Sequence, residues 1–537
     1  MKDSNRRQFL LAAGKVSLAL AASNTLMALP DAKSGTGSFD VRAFGALGDG
    51  KSNDAAPIQR AIDECGQSGG GVVVLRNGAF LTGTLMLHSH VELHLTSTAV
   101  LLGIPVLSQY HVDEKVPYRI LNRSLIFAEG CEHIAITGQG VIDGQGGLWR
   151  EAVESDHPRP ILIRLRDCSD VRLEGVLLKD SPAFSVHSIN CRQVRIEGLR
   201  IDSHVGPITD GIDVDGCQDV FISNCNIRSG DDCIALKTLE PGSTCRDIVI
   251  TNCILSSDCC AFRCGCDAVG NIERVSMSNC VIRDTHLNGI KIQESMGAMM
   301  RDMVFSNIVM DNTAGAISIR LAGWKLGTAK EWLVFDDSNW ERGELTNILF
   351  DNIRVGAWTN VFPKMSISIT GTSRTRPRQI TFSNIDITFP GGGTSEDAAR
   401  RNVPDLERDY PECYMFGVLP AYGLYVHHAT GLTLNNVQFH LESEDFRPAI
   451  VCDDVQDLEL AGFKADGNVK AESLIRLQDA QQVFIAESRP LTRVGTFLRV
   501  EGPLSREISL SGNELELAQK TVDIAPGLRG AAVLHEK

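Results

Sequence analysis

Val220-Phe-Ile-Ser-Asn224-Cys225, Ile248-Val-Ile-Thr-Asn252-Cys253, Val275-Ser-Met-Ser-Asn279-Cys280 and Met303-Val-Phe-Ser-Asn307-Ile308 are four copies of one phrase. Apolar residues alternate with others at period two, so each phrase reads as a strand with one buried face. It ends on Asn, a residue that tolerates the left-handed backbone of a tight turn. Upstream copies end on Gly175 and Gly198, and later copies on Asn352, Asn384 and Asn436. From Gly175 to Asn307 the markers step by 23, 26, 28, 27 and 28 residues, then by 45, 32 and 52. A period of this size fits one coil of an all-β parallel β-helix with about three short strands per coil. The longer steps read as loop insertions, and 390–412 is one such polar, turn-rich stretch. Stacked coils would put Asn224, Asn252, Asn279 and Asn307 in one ladder, with Cys225, Cys253 and Cys280 in a column of buried thiols beside it.

The N-terminal part differs. Residues 53–66 carry Ile58, Ile62 and Cys65 on one face of an amphipathic helix, polar at its start and followed by glycine. A solenoid must cover its open end, and this N-terminal helix is the expected cap. One elongated domain is therefore expected over residues 38–537. Residues 1–32 begin with Arg6-Arg7-Gln-Phe9-Leu10 and continue weakly apolar, which resembles a twin-arginine export signal. It implies a bacterial protein exported to the periplasm or medium.

Composition narrows the function. The chain has 537 residues, 22% charged and 43% hydrophobic, with a formal net charge of −15. A general nucleic-acid binder needs a basic surface and does not fit. After the leader no apolar run is long enough to span a membrane as a helix. Of sixteen cysteines, eleven fall between Cys191 and Cys280. Cys259, Cys260, Cys264 and Cys266 are close together, but their spacing is not a usual zinc pattern. Structural thiols or a disulfide are the expected reading, with no metal and no cofactor.

The repeat also serves as a ruler. Seven and eight residues past the markers lie Asp231 and Asp232, Cys259 and Cys260, and His286; twelve past lie Asp210 and Lys291. These residues are expected on neighbouring coils. A turn after Gly230 lets Asp231 and Asp232 face one cleft. Crowded carboxylates raise one another's pKa, so one can stay protonated while another is an anionic base. That is the equipment for hydrolysing a glycosidic bond.

Ile208-Thr-Asp210-Gly-Ile-Asp213 and Ser229-Gly-Asp231-Asp232-Cys233-Ile-Ala-Leu-Lys237 resemble glycoside hydrolase family 28, the polygalacturonase family. Phe44-Gly-Ala-Leu-Gly-Asp-Gly50, Phe80-Leu-Thr-Gly-Thr-Leu85 and Gly140-Val-Ile-Asp-Gly-Gln-Gly146 with Trp149 do so as well. The resemblance runs from about residue 40 to 310. It implies a single-stranded, right-handed parallel β-helix of the pectin-lyase-like kind and inverting, metal-free hydrolysis. Asp231 would then be the general acid, with Asp210 and Asp232 holding and activating the water.

Three departures stand out. The family's Asn-Thr-Asp is here Ile208-Thr209-Asp210. Its Gly-His-Gly is Asp258-Cys259-Cys260, and its Arg-Ile-Lys is Lys291-Ile292-Gln293. The missing Arg and Lys are the groups the resemblance assigns to a galacturonate carboxylate, and Lys291 cannot form the planar two-point clamp of Arg. The expected substrate is therefore a rhamnogalacturonan-type or other plant or algal glycan rather than plain polygalacturonan. Lys291, His286, Gln293 and Cys259 are the expected substrate-binding positions, with Arg263 and Arg320 as further contacts and His286 as a stand-in for the missing His. Two alternatives remain at this point: a polysaccharide lyase using Ca2+ on the carboxylates, and a glycan-binding β-helix without catalysis. The partner is a poly- or oligosaccharide in each case.

Overall fold

The computed structural model describes residues 37–154, 157–325, 339–359, 362–528 and 534–536. The export signal expected at 1–32 lies outside the described residues. Among the described residues, forty strands join into one continuous ladder in which each pairs in parallel with its counterpart one coil on. This is a parallel β-helix. Among the described residues no helix is long and apolar enough to cross a membrane.

The phrase behaves as its pattern dictates. Val220, Ile248, Val275, Met303 and Ile348 stack in register, as do Ile222, Ile250, Met277, Phe305 and Phe350, and all are buried. Phe305, Phe350 and Phe382 stack with centroids 5.1 and 5.0 Å apart, close to the inter-strand spacing. Every Asn marker adopts positive φ, between 51° and 57° from Asn224 to Asn436. Asn252 donates to Asn224 at 3.4 Å, Asn307 to Asn279 at 3.2 Å and Asn352 to Asn307 at 2.8 Å. Cys225, Cys253 and Cys280 form the expected buried column. All sixteen cysteines are free thiols, so no disulfide staples the coils.

One detail differs from three short strands per coil. Between Asn271 and Leu441 two strands merge, as in Asn271–Thr285 and Met299–Thr313. The left-handed Asn bends the chain while ladder hydrogen bonds continue on both sides of it. The cap α1 (Ala55–Gln67) buries Ile58, Ala61, Ile62 and Cys65 over the first coils. Its start is fixed by Asn53, whose side chain accepts from the Ala55 amide at 2.9 Å. Gly66 remains helical, and the left-handed glycines follow at 69–71.

One face of the solenoid carries the chemistry. Its strands are β1 (Pro160–Arg166), β2 (Val186–Ile189), β3 (Ile212–Asp215), β4 (Ile234–Thr238), β5 (Phe262–Ala268), β6 (Ile290–Glu294), β7 (Ile317–Leu321) and β8 (Ile367–Thr370). Ile163, Val186, Ile212, Ile234, Phe262, Ile290 and Ile317 fill the interior. The alternate column is Arg164, His187, Asp213, Ala235, Arg263, Lys291 and Ser318. These polar residues point away from the core, yet all are buried. Loops cover them, and Tyr118, Leu121, Phe184, Trp324 and Tyr410 help build a second apolar cluster outside the solenoid.

Candidate active site

Asp210 ends the turn before β3, and Asp231 and Asp232 end the turn before β4. All three line one small cleft with Lys237, Arg263 and Tyr410. The turn at Gly230 leaves no room for a Cβ, which would meet the Gly206 carbonyl at 2.4 Å. That close approach lets both neighbouring carboxylates face the cleft although they are adjacent in sequence.

The carboxylates differ electrostatically. Asp231 accepts from the Ile208 amide at 2.9 Å, but burial and the charge of Asp232 hold its pKa above the ordinary range. Burial also opposes ionisation of Asp232. There Arg263, with Nη1 3.5 Å from Oδ2, and Lys291 outweigh it and keep the group below its ordinary value. The Cys260 thiol donates to Asp232 Oδ1 at 2.8 Å. Burial and Asp213 push Asp210 well above its ordinary value, and Lys237 only partly opposes them. Lys237 Nζ lies 2.7 Å from Asp213 and 3.4 Å from Asp210. It also sits 4.3 Å from the centre of the Phe184 ring, a cation–π contact that steadies a buried ammonium.

The structure sorts the remaining sequence expectations. Cys259 lies against the cleft, where its thiol bonds Asp231 and lies 3.7 Å from Lys291 Nζ. Lys291 is fully buried and pairs with Glu412 at 2.8 Å. Gln293 accepts from Arg263 at 3.0 Å and donates to the Pro411 carbonyl. Arg263 belongs to the site, whereas Arg320 donates to the backbone carbonyls of Gly371, Asp405 and Leu406 and serves to hold a loop.

His286 is a correction. The pairing shifts by one residue between Leu255–Ile282 and Ser257–Thr285. A one-residue slip turns a side chain to the other face. His286 is therefore exposed in a neighbouring groove, 3.5 Å from Asp258, and does not stand in for the absent His at Asp231. The ruler also misplaced Lys291, which pairs with Arg263 in the Asp213 column, because coil lengths vary.

Four site residues had no role in the sequence reading. Asp213 and Lys237 stood inside the quoted motifs and were legible there. Tyr410 and Glu412 come from the 390–423 excursion between the strands Arg378–Phe389 and Leu424–Leu441, and nothing in the repeat marks them. Tyr410 meets Arg263 at 3.0 Å.

Among the described residues, two groups could hold a cation by proximity: Asp232 with Cys259 and Cys260, and Asp405 with His427 and His428. The first already faces Arg263 and Lys291, whose charges occupy the role a metal would take.

Residues 88–407 match the family model "Glycosyl hydrolases family 28". The chain belongs to this family. A probable polygalacturonase of Vitis vinifera is 33% identical over 277 residues, 47% of this chain and 56% of that protein. A probable polygalacturonase of Arabidopsis thaliana is 31% identical over 287 residues, 52% and 60%. The chain thus spans somewhat over half the length of these relatives. Among solved structures, the Yersinia enterocolitica family 28 exopolygalacturonase superposes with TM-score 0.62 at 20% identity, covering 79% of this chain and 78% of that one. The Erwinia carotovora polygalacturonase gives 0.53 at 21%, covering 66% and 93%. These likenesses establish a shared β-helix within family 28.

Proposed function

We propose that this family 28 chain hydrolyses O-glycosidic bonds of a pectic or related polysaccharide with inversion at the anomeric carbon. The observation that carries the reading is the pair Asp231 and Asp232, adjacent in one cleft and perturbed in opposite directions. A protonated Asp231 gives its proton to the leaving oxygen. An ionised Asp232 takes a proton from water as the water attacks the opposite face of the sugar. Asp210, which shares Lys237 with Asp213, keeps its proton and orients that water by hydrogen bonding. Base duty thus falls on Asp232 rather than equally on Asp210 and Asp232.

The excursion carrying Tyr410 and Glu412 closes over the cleft, which supports attack at chain ends. A ladder of oligomers from the first minutes of digestion would refute end-wise action. The hydrolase reading is tested by incubating the protein and Asp231→Asn with a panel of pectic, plant and algal glycans. New reducing ends without unsaturated-uronate absorbance, abolished in the variant, are expected. Absorbance would point to a lyase instead, and binding without cleavage to a glycan-binding protein.

A further inference from the structure

Lys237 and Arg263, which line the cleft, and Lys291, fully buried one coil beyond Arg263, are already matched by the protein's own carboxylates. Lys237 pairs with Asp213 at 2.7 Å, Arg263 with Asp232 at 3.5 Å, and Lys291 with Glu412 at 2.8 Å. Arg263 also lies 3.8 Å from Glu412. Lys291 and Glu412 are buried together, at 0% and 6% exposure. Glu412 is not part of the solenoid. It is delivered across 121 residues of sequence by an excursion whose neighbouring Pro411 carbonyl is also bonded, by Gln293. Among the described residues, the cleft offers an arriving carboxylate no cation without an internal partner. A second negative group beside Glu412 would meet like charge in a low-dielectric setting, which is strongly unfavourable.

We propose that Glu412 is a built-in carboxylate that takes up the charge of buried Lys291 and backs Arg263 at the cleft, so the sugar unit bound against Arg263 is uncharged. Such a unit is a neutral sugar or an esterified uronate. This rests on the hydrolase reading for its placement beside the reacting bond, but it concerns binding and is measured without turnover. Glu412 acts as a specificity residue: its charge satisfies Lys291 and excludes free uronates from that position.

The test uses the full chain carrying Asp231→Asn to suppress hydrolysis, with calorimetric titration of trigalacturonate and of its fully methyl-esterified form. The parent should bind the ester about tenfold or more tighter than the acid. Adding Glu412→Gln keeps the shape and removes the negative charge beside Arg263 and Lys291; it should erase or reverse the preference. Glu412→Asp should preserve it. Melting curves within a few degrees of the parent establish that each variant is folded. The proposal is overturned if the parent prefers the acid, if Glu412→Gln leaves the ratio unchanged, or if no variant binds either ligand. Failure of the hydrolase reading shows separately, as wild-type protein that binds the ester but releases no reducing ends.

Discussion

Arg263 places Nη1 3.5 Å from Asp232 Oδ2, with both side chains buried, while the adjacent Asp231 receives a backbone amide and, among the described residues, no cation at that distance. Arg263, together with Lys291, thus pulls the pKa values of two neighbouring carboxylic acids apart. Activity should follow a bell-shaped pH profile. Its acidic limb falls as Asp232 takes up a proton, and its alkaline limb falls as Asp231 loses one. Arg263→Gln removes the main attraction that lowers Asp232, so the acidic limb of kcat/KM should move up by about one pH unit. Asp231, on which Arg263 acts more weakly, should move less, and the window should narrow. An unmoved acidic limb would remove Asp232 from the base role.

Asp231→Asn cannot donate its proton, and kcat should fall by about 10²–10⁴-fold. Affinity for substrate should change little, because the carboxyl's fixed partners, the Ile208 amide and the Cys259 thiol, belong to the protein. Single-turnover rates beside direct binding would separate the two effects.

Asp215 lies one coil from Lys237 in the buried face, accepts from the Leu239 amide at 2.8 Å, and is pushed by burial up to about 7. Its folded pKa exceeds the unfolded value of about 3.9, so the fold favours the protonated form. The stability this contributes is fully present below about pH 4 and is lost as pH rises through about 7. Asp215→Asn should flatten urea-unfolding stability across that window. A variant with the wild-type pH slope would show that Asp215 does not titrate there.

Phe350 stacks between Phe305 and Phe382 in the solenoid interior. Phe350→Ala should cost about 3–5 kcal/mol, since a close-packed column cannot collapse into the void without moving neighbouring coils. The measurement is the denaturant midpoint at unchanged m-value.

Fifteen of the sixteen cysteines are buried, and only Cys259 is partly exposed. Burial raises the core thiols of Cys245, Cys264 and Cys452, which keeps them unreactive. A disulfide reagent should titrate at most about one thiol in the native protein and all sixteen after unfolding. Several fast-reacting native thiols would contradict the packed columns.

The coil interior was legible in the sequence because its physics is local. Alternation of Val220, Ile222 and Asn224, repeated at near-constant spacing, specifies strand, buried face and turn at once. Asp210, Asp231 and Asp232 were legible in the motifs that hold them, although their offsets from the markers differ, twelve residues against seven and eight. The ruler failed where a single extra residue entered a coil. Near Asp284, which adopts positive φ, the pairing slips by one and His286 turns away from the cleft.

The sequence by itself determined the solenoid, the stacking of its Asn and Cys columns, and the meeting of three carboxylates at neighbouring turns, because each follows from a short-range pattern that recurs every 23–28 residues through that part of the chain. Tertiary structure alone decided which carboxylate is held above its ordinary pKa and which below, since that depends on Arg263 and Lys291 arriving from other coils into a dry site. It alone brought Glu412 onto Lys291 across 121 residues. An excursion has no periodicity to constrain where it lands, and its docking is fixed only when buried charges find partners.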